Sequence, residues 1–525
     1  MWCRRSQSYS VNTDNNQTVE QKWNYFQMLV QIGYKEIDIA FPCASQTEYD
    51  FCRKLVEIPG AVPEDVWLQV LSPCRNDLIR RTVDSVTGCK QAILSLYIAT
   101  SDSFIETIFN SSRQEILEKA VDSVKYARSI TKDDPQQAGT IWSLCFSPEA
   151  FTDTDIAYSV RICEAAKEAW GPTEDNKIIL NLPATVEMGP PNTFADQVEI
   201  FKQSLTTPEL VCVSLHPHND RGCAVAAAEL GQLAGAERVE GCLFGNGERT
   251  GNVDLVTLAM NLYVQGIDPR IDFSDLKSVR AIAEQCTLIP VHTRAPYSGD
   301  SAFVAYSGSH QDAINKAFNK LDRKGLWKVP YLPLDPQDIG STYKAVVQVN
   351  SQSGKGGVAW TLRQALHLEL PRGMQAEFSK RVKSVSVEQG GTLSPDQLAG
   401  LFIKSYHLFS PDPNITSVDI DYDGTFRTVD ATTLIQGSLR RLQGRGKSIA
   451  SAVVDAFSKL KQKASFTSSV ATLITQGTLY KVILVESQII GSSCTSWGAS
   501  IVSNADKDVA ELKAMLFSGR ESIYS

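Results

Sequence analysis

Seven short apolar runs recur between about Val19 and Ile289, and each is followed by polar or Gly/Pro-rich residues and then by a helical pattern. The runs are YKEIDIAFP, VWLQVLS, AILSLYIAT, IWSLCFSP, IILNLPA, LVCVSLH and VEGCLFG; TEYDFCRKLVE and GCAVAAAELGQLAGA are two of the intervening helices. A strand, a crossover helix and another strand, repeated in this way, build a parallel sheet, because parallel neighbours need a long connection. The natural closure is an eight-stranded (β/α)8 TIM barrel. In such barrels functional groups sit just after the strands, at the C-terminal rim, so the residues that follow these runs are the candidates for chemistry.

After Pro290 the rhythm breaks. APYSGD, YSGSHQDA and VPYLPLDPQDIG read as linker subdomains with short helices, and KAVVQVNSQSGKGG as a further β-like run. From about Val382, strands (VDIDYDGTFRTVD, TLYKVILVES, WGASIVS) mix with amphipathic helices (SIASAVVDAFSKLKQ, DKDVAELKAMLFSG), the pattern of a separate α+β domain. The expected division is a barrel over 1–289, linker subdomains over 290–381 and a C-terminal regulatory and dimerisation domain over 382–525.

A chain of 525 residues that is 43% hydrophobic can bury the cores of two or three such domains. The net charge of −8 is interspersed, which indicates neither a nucleic-acid stripe nor a polybasic membrane patch. No apolar run has the length of a membrane span. The 12 cysteines form no CxxC pair and follow no secretory stretch, as expected of reduced thiols in an intracellular compartment. Cytoplasm is the expected location, with the mitochondrion as the alternative, since MWCRRSQSYSVNTDNN carries two arginines.

The strongest chemical signal is LVCVSLHPHNDRG, where His216 and His218 end a β-run and, being two apart on a strand, face one side. Two imidazoles on one side can bind a divalent cation and leave positions for substrate oxygens. Histidine also caps strand ends, but the chain has only six, and two of them fall here beside Asn219, Asp220 and Arg221. The next run leads into GCLFGNGERTGN, whose glycines permit close backbone approach and free amides for anions. Simple tight turns would explain those glycines, though not Glu248, Arg249 and Asn252 together. FSPE and LPATVE place Ser147, Glu149, Thr185 and Glu187 at two more strand ends; singly, each reads as a helix cap.

Together with YSGSHQDAI, PYLPLDP and VNSQSGKGG, these rim segments resemble the α-isopropylmalate synthase family, in its long fungal-type branch, from about Val19 to the C-terminus. The resemblance implies a Claisen-type condensation of acetyl-CoA with a 2-oxo acid, followed by thioester hydrolysis. It implies a divalent cation (Mg, Mn or Zn) on His216, His218 and Asn252, and oxo-acid and metal-shell contacts from Ser147, Thr185 and Glu149. Acetyl-CoA is expected against Gly247, Glu248 and Arg249. His310 and Tyr331 carry over as the proton-transfer pair that reaches a partner subunit's barrel, so a homodimer is implied. By residue pattern alone, His310 in SGSH reads as a capping or solvated histidine.

Three departures from the family pattern bear on function. The family's RDGNQ motif, which supplies a metal-binding aspartate and a neighbouring catalytic arginine, is replaced by TDNNQTVEQK at 13–22, where Asp14 is the only nearby carboxylate. Ser95 stands in SLYIATS where members usually have a histidine that lines the oxo-acid pocket. Lys447 and Ser448, in the GRGKSIASAVVDA turn of the leucine-sensing domain, replace residues such as Asn-Gly. The resulting expectations are a synthase making 2-isopropylmalate from 3-methyl-2-oxobutanoate, a paralogue for a bulkier oxo acid such as 4-hydroxyphenylpyruvate, or a non-catalytic homologue.

Overall fold

The computed structural model describes residues 6–10 (backbone only), 18–322, 325–343, 353–491, 495–503 and 506–524. It divides into two compact units, 1–302 with 338–341, and 303–337 with 342–525.

All seven runs form strands of the first unit: β2 (Glu36–Ala40), β3 (Trp67–Pro73), β4 (Gln91–Ala99), β5 (Ile141–Glu149), β6 (Ile178–Ala184), β7 (Val211–Pro217) and β8 (Arg238–Gly241). The eighth strand, β1 (Ser6–Ser10), pairs in parallel with both β2 and β8 and closes the barrel. It lies in a polar stretch with no apolar run. What recruits it is the pair of open strand edges on either side, whose backbone groups need partners.

Helices α1 (Val19–Gln31), α2 (Gln46–Glu57) and α3 (Asn76–Val86) alternate with these strands. After β4 come a single turn α4 (Asp102–Phe104) and then α5 (Arg113–Ser129); α6 (Ile156–Trp170), α7 (Pro191–Gln203), α8 (Ala224–Leu233) and α9 (Leu255–Val264) follow the later strands, and α10 (Leu276–Thr287) ends the series. Local sequence sets several of the starts. Thr18 with Gln21 and Ser112 with Glu115 form capping boxes that satisfy the first amides of α1 and α5. In α8, Gly231 lies so close to β7 that a Cβ would be 2.5 Å from Leu215 Cδ1.

Strands β2 to β8 are largely buried on both faces, β6 along its whole length, and every second residue points into the barrel. A partly apolar layer of Ile93, Cys145 and Ile179, with Trp67 and Cys212 against it, fills part of the interior. One step toward the rim the interior turns polar, with Gln69, Asn181, Ser214 and Glu240 all buried.

The second unit has helices α11 (Gly308–Phe318), α12 (Lys355–Leu366), α13 (Arg372–Gln389) and α14 (Pro395–Ser405) and two antiparallel three-stranded sheets. One sheet joins β9 (Ile415–Tyr422), β10 (Arg427–Ile435) and β11 (Ser438–Gly446), the other β12 (Ala464–Thr475), β13 (Thr478–Ile489) and β14 (Thr495–Ile501); α15 (Ile449–Lys459) and α16 (Lys507–Tyr524) complete the α+β pattern. Helix α13 spans the 381–382 position where the sequence suggested a change of subdomain. The β-like run suggested from Lys344 lies largely outside the described residues. Among the described residues, no helix is long and apolar enough to cross a membrane.

Candidate active site

Strand alternation brings a set of side chains from different strands to one cavity of about 390 Å³ at the C-terminal end of the barrel. Its walls include Ser95 and Tyr97 of β4, Ser147 and Glu149 of β5, Thr185 after β6, His216 and His218 at the end of β7, and Glu248. Ser95 pairs with Leu71 and Cys145, and Tyr97 with Ser147, so residues 95 and 97 share the inward face.

The two histidines are held by their Nδ1 atoms. His216 Nδ1 lies 2.9 Å from Glu240 Oε2, and His218 Nδ1 lies 2.6 Å from the Thr185 carbonyl oxygen. Burial would raise the Glu240 carboxyl, but Arg238, fully enclosed beside it, holds it well below the usual range, and the carboxylate is an acceptor only. His216 Nδ1 therefore carries the hydrogen and donates it. His218 Nδ1 sits between the Thr185 carbonyl oxygen at 2.6 Å and Arg249 Nη2 at 2.8 Å, and Arg249 Nη2 also donates to that carbonyl at 2.6 Å. Burial, reinforced by His216, lowers the His218 pKa to about 4. His218 is thus neutral near pH 7, and the hydrogen held on His216 Nδ1 leaves that ring's Nε2 facing Asn252 Nδ2 at 2.9 Å.

The fit of a divalent cation turns on these Nδ1 contacts: imidazoles whose Nδ1 is tied to a carboxylate or a carbonyl are oriented to ligate through Nε2. Asn252 Nδ2 lies 2.9 Å from His216 Nε2, and the amide turned over would present its oxygen instead. Among the described residues there is no cluster of three or more His, Cys, Asp or Glu that could hold an ion. The donor set of two imidazoles and one amide fits a cation that leaves its remaining positions to substrate or water. Asp14, the carboxylate nearest to the absent family motif, lies outside the described residues.

The glycine-rich turn positions Asn252. Gly247, at φ +141°, has room for no Cβ, which would sit 1.9 Å from Asn252 Oδ1. Arg249 adopts a left-handed φ of +55°, and its guanidinium forks onto Asp220 at 2.7 and 3.0 Å. This pairing drives the Asp220 pKa down to about 2. Glu248 is exposed and lines the cavity.

The other suggested residues divide by role. Ser147 is buried and accepts from Asn181 Nδ2 at 3.2 Å. The Thr185 hydroxyl accepts the amide of Ala150 at 2.8 Å, which fixes the turn after β5. Burial raises the Glu149 carboxyl above its usual pKa. Glu187 does not reach the cavity; its carboxylate accepts the Arg221 amide just before α8. His310 and Tyr331 belong to the second unit, where their rings stack with centroids 3.9 Å apart at 17°. Tyr331 is 58% exposed and left-handed at φ +66°.

Motif reading passed over Asp38, Gln69, Asn181, Arg238 and Glu240. The signal was present as polar residues inside otherwise apolar runs, EIDIA, WLQVL, IILNL and RVEG, where a buried strand has to pair each of them. Burial, followed by the nearby Glu240, pushes the Asp38 carboxyl well above its usual pKa.

Comparison with known proteins adds to this geometry. The HMGL-like family model matches residues 11–282, and the model described as α-isopropylmalate synthase, post-catalytic domain-like, matches residues 300–363. The chain is 52% identical over 452 residues to a 2-isopropylmalate synthase of Saccharomyces cerevisiae, covering 84% of this chain and 72% of the yeast protein. It is 51% identical over 396 residues to that of Schizosaccharomyces pombe, covering 75% and 68%. The 2-isopropylmalate synthase of Pseudomonas savastanoi is 46% identical over 459 residues, covering 86% and 81%.

Proposed function

This chain belongs to the α-isopropylmalate synthase family, and on that premise we propose that it joins the methyl carbon of acetyl-CoA to the keto carbon of 3-methyl-2-oxobutanoate, after which water cleaves the resulting thioester to give 2-isopropylmalate and free CoA. The observation that carries the reading is the convergence of His216, His218 and Asn252, with each imidazole held by its Nδ1, on a cavity lined by Ser147, Thr185 and Glu149.

We propose that His216, His218 and Asn252 hold a divalent cation. Bound there, it would draw charge from the keto oxygen and stabilise the alkoxide that forms as the new carbon–carbon bond closes. Glu240 and the Thr185 carbonyl keep both rings oriented for that task. Ser147, whose hydroxyl still has a hydrogen to donate after accepting from Asn181, binds the oxo-acid carboxylate. Gly247, Glu248 and Arg249 flank the side from which acetyl-CoA enters, and Arg249 is oriented by Asp220. His310, stacked on Tyr331, acts in removing the methyl proton next to the thioester, a task that needs a group within hydrogen-bond reach of that carbon. We propose a homodimer as the assembly in which this pair serves a partner's barrel, and the cytoplasm as the compartment.

The test is a thiol-release assay with acetyl-CoA and a panel of 2-oxo acids, with and without a chelator. Chelator-sensitive release that is fastest with 3-methyl-2-oxobutanoate supports the reading. Preference for aryl pyruvates would reassign the oxo acid, and no release with any member would leave a binding protein. A single-subunit mass in solution would overturn the dimer.

A further inference from the structure

Glu240 is enclosed by four nitrogen donors. Its Oε1 accepts from Arg238 Nη1 at 2.5 Å and from Gln69 Nε2 at 3.0 Å, and its Oε2 accepts from His216 Nδ1 at 2.9 Å and from Asn181 Nδ2 at 3.0 Å. An ionised carboxylate offers about four lone-pair positions and no hydrogen, so it meets all four donors at once. A glutamine of the same shape would turn its amide group against two of them. Arg238 is itself shared among Glu36 at 2.6 Å, Gln69 Oε1 at 2.9 Å and Ser214 Oγ at 2.9 Å, which fixes the Glu240 carboxylate from below.

The same Asn181 Nδ2 that donates to Glu240 lies 3.2 Å from Ser147 Oγ. A continuous polar path therefore runs from His216 through Glu240 and Asn181 to Ser147, all but His216 being more than nine-tenths buried. A purely structural ion pair between Arg238 and Glu240 would require neither of the two Oε2 contacts. Both of those contacts end on residues that line the cavity.

We propose that Glu240 is a positioning residue shared by the cation and oxo-acid subsites. Its Oε2 locks His216 with the hydrogen on Nδ1, and through Asn181 it holds the Ser147 hydroxyl, so that filling either subsite tightens the other. The inference rests on the reading of this cavity given above.

Glu240→Gln, Asn181→Ala and Ser85→Ala are compared with the parent in three measurements: Mn²⁺ titration of chelator-treated protein followed by electron paramagnetic resonance, oxo-acid KM and kcat, and melting temperature. Glu240→Gln is expected to weaken Mn²⁺ binding by about 10–100-fold, the usual cost of losing a partner behind a metal ligand, and to raise the oxo-acid KM. Asn181→Ala keeps the Arg238–Glu240 pair. It is expected to hold Mn²⁺ without oxo acid within about twofold of the parent, to raise the oxo-acid KM, and to reduce the tightening of Mn²⁺ that oxo acid causes in the parent, leaving only the part that comes from direct contact with the ion. Reciprocity of binding free energies demands that the tightening of oxo acid by Mn²⁺, read as a dissociation constant, fall by the same factor. Ser85→Ala, which removes a buried hydroxyl on α3 that donates to the Thr82 carbonyl away from this network, is the control and should lower the melting temperature alone.

A folded Glu240→Gln with parental Mn²⁺ affinity overturns the inference, as does Asn181→Ala with parental KM and parental tightening. If Glu240→Gln does not fold, the Asn181→Ala results decide. A parent that binds Mn²⁺ and turns over while these variants behave normally sinks this inference alone, whereas a parent that binds no Mn²⁺ sinks the cation reading and this inference with it.

Discussion

His216 Nδ1 lies 2.9 Å from Glu240 Oε2, and because Glu240 is an acceptor only, this contact fixes which nitrogen of His216 faces the cavity. A choice of tautomer that no motif displays is thus made by a carboxylate from the neighbouring strand.

Replacing His216 or His218 with Ala is expected to lower metal-dependent turnover by at least about 100-fold, since each removes a donor to the charge-stabilising ion. Both side chains end at the rim, so the melting temperature should move by only a few degrees. Thiol release and thermal melting measured on the same preparations check this, and parental activity in both variants would sink the cation assignment.

Glu149→Gln should stabilise the fold at neutral pH while lowering activity. Burial raises the Glu149 pKa in the folded state, so the cost of ionising it is absent below the unfolded pKa near 4.5 and complete above the folded pKa. Removing the charge therefore raises the melting temperature at pH 8 and has no such effect near pH 4. Melting curves at the two pH values decide; an equal change at both would show that burial of the charge is not the cause.

His310→Ala is expected to lower kcat by about 10²–10⁴-fold, the range for a proton-transfer group, with little change in acetyl-CoA affinity. Steady-state kinetics paired with calorimetric titration of acetyl-CoA separate the two. Turnover preserved at saturation, with affinity lost, would make His310 a binding residue.

Ser95→His should raise the ratio of kcat/KM for 3-methyl-2-oxobutanoate over that for aryl pyruvates. Ser95 is 2% exposed and faces the cavity, so an imidazole there removes volume from the oxo-acid end. Pocket volume discriminates weakly, at about 1–3 kcal/mol per methylene, so a shift of about tenfold is the expected scale. A ratio that stays within about twofold, or about 0.4 kcal/mol, would remove Ser95 from the specificity determinants.

Much of the fold was legible because periodicity is a local property. Seven apolar runs spaced by helical patterns required a parallel sheet, and the HxH pair at the end of one run placed two ligands on one face before any contact was known. Strand β1 was not legible, because Ser6–Ser10 carries no apolar pattern and is defined by the open edges of β2 and β8. Strands β11 and β12 were missed for a related reason: SLRRLQGRG and ASFTSSVATLIT are exposed along much of their length, so no hydrophobic alternation marks them.

The sequence by itself determined the strand order of the rim, the identity of the imidazole pair and the glycines that let Asn252 approach it. Tertiary structure alone decided that Gln69, Asn181, Arg238 and Glu240, drawn from three separate βα units, meet beneath those imidazoles. The physical reason is that a buried charge must be satisfied by donors close in space, and barrel closure brings together residues 171 positions apart, as in Gln69 and Glu240, that no local pattern connects.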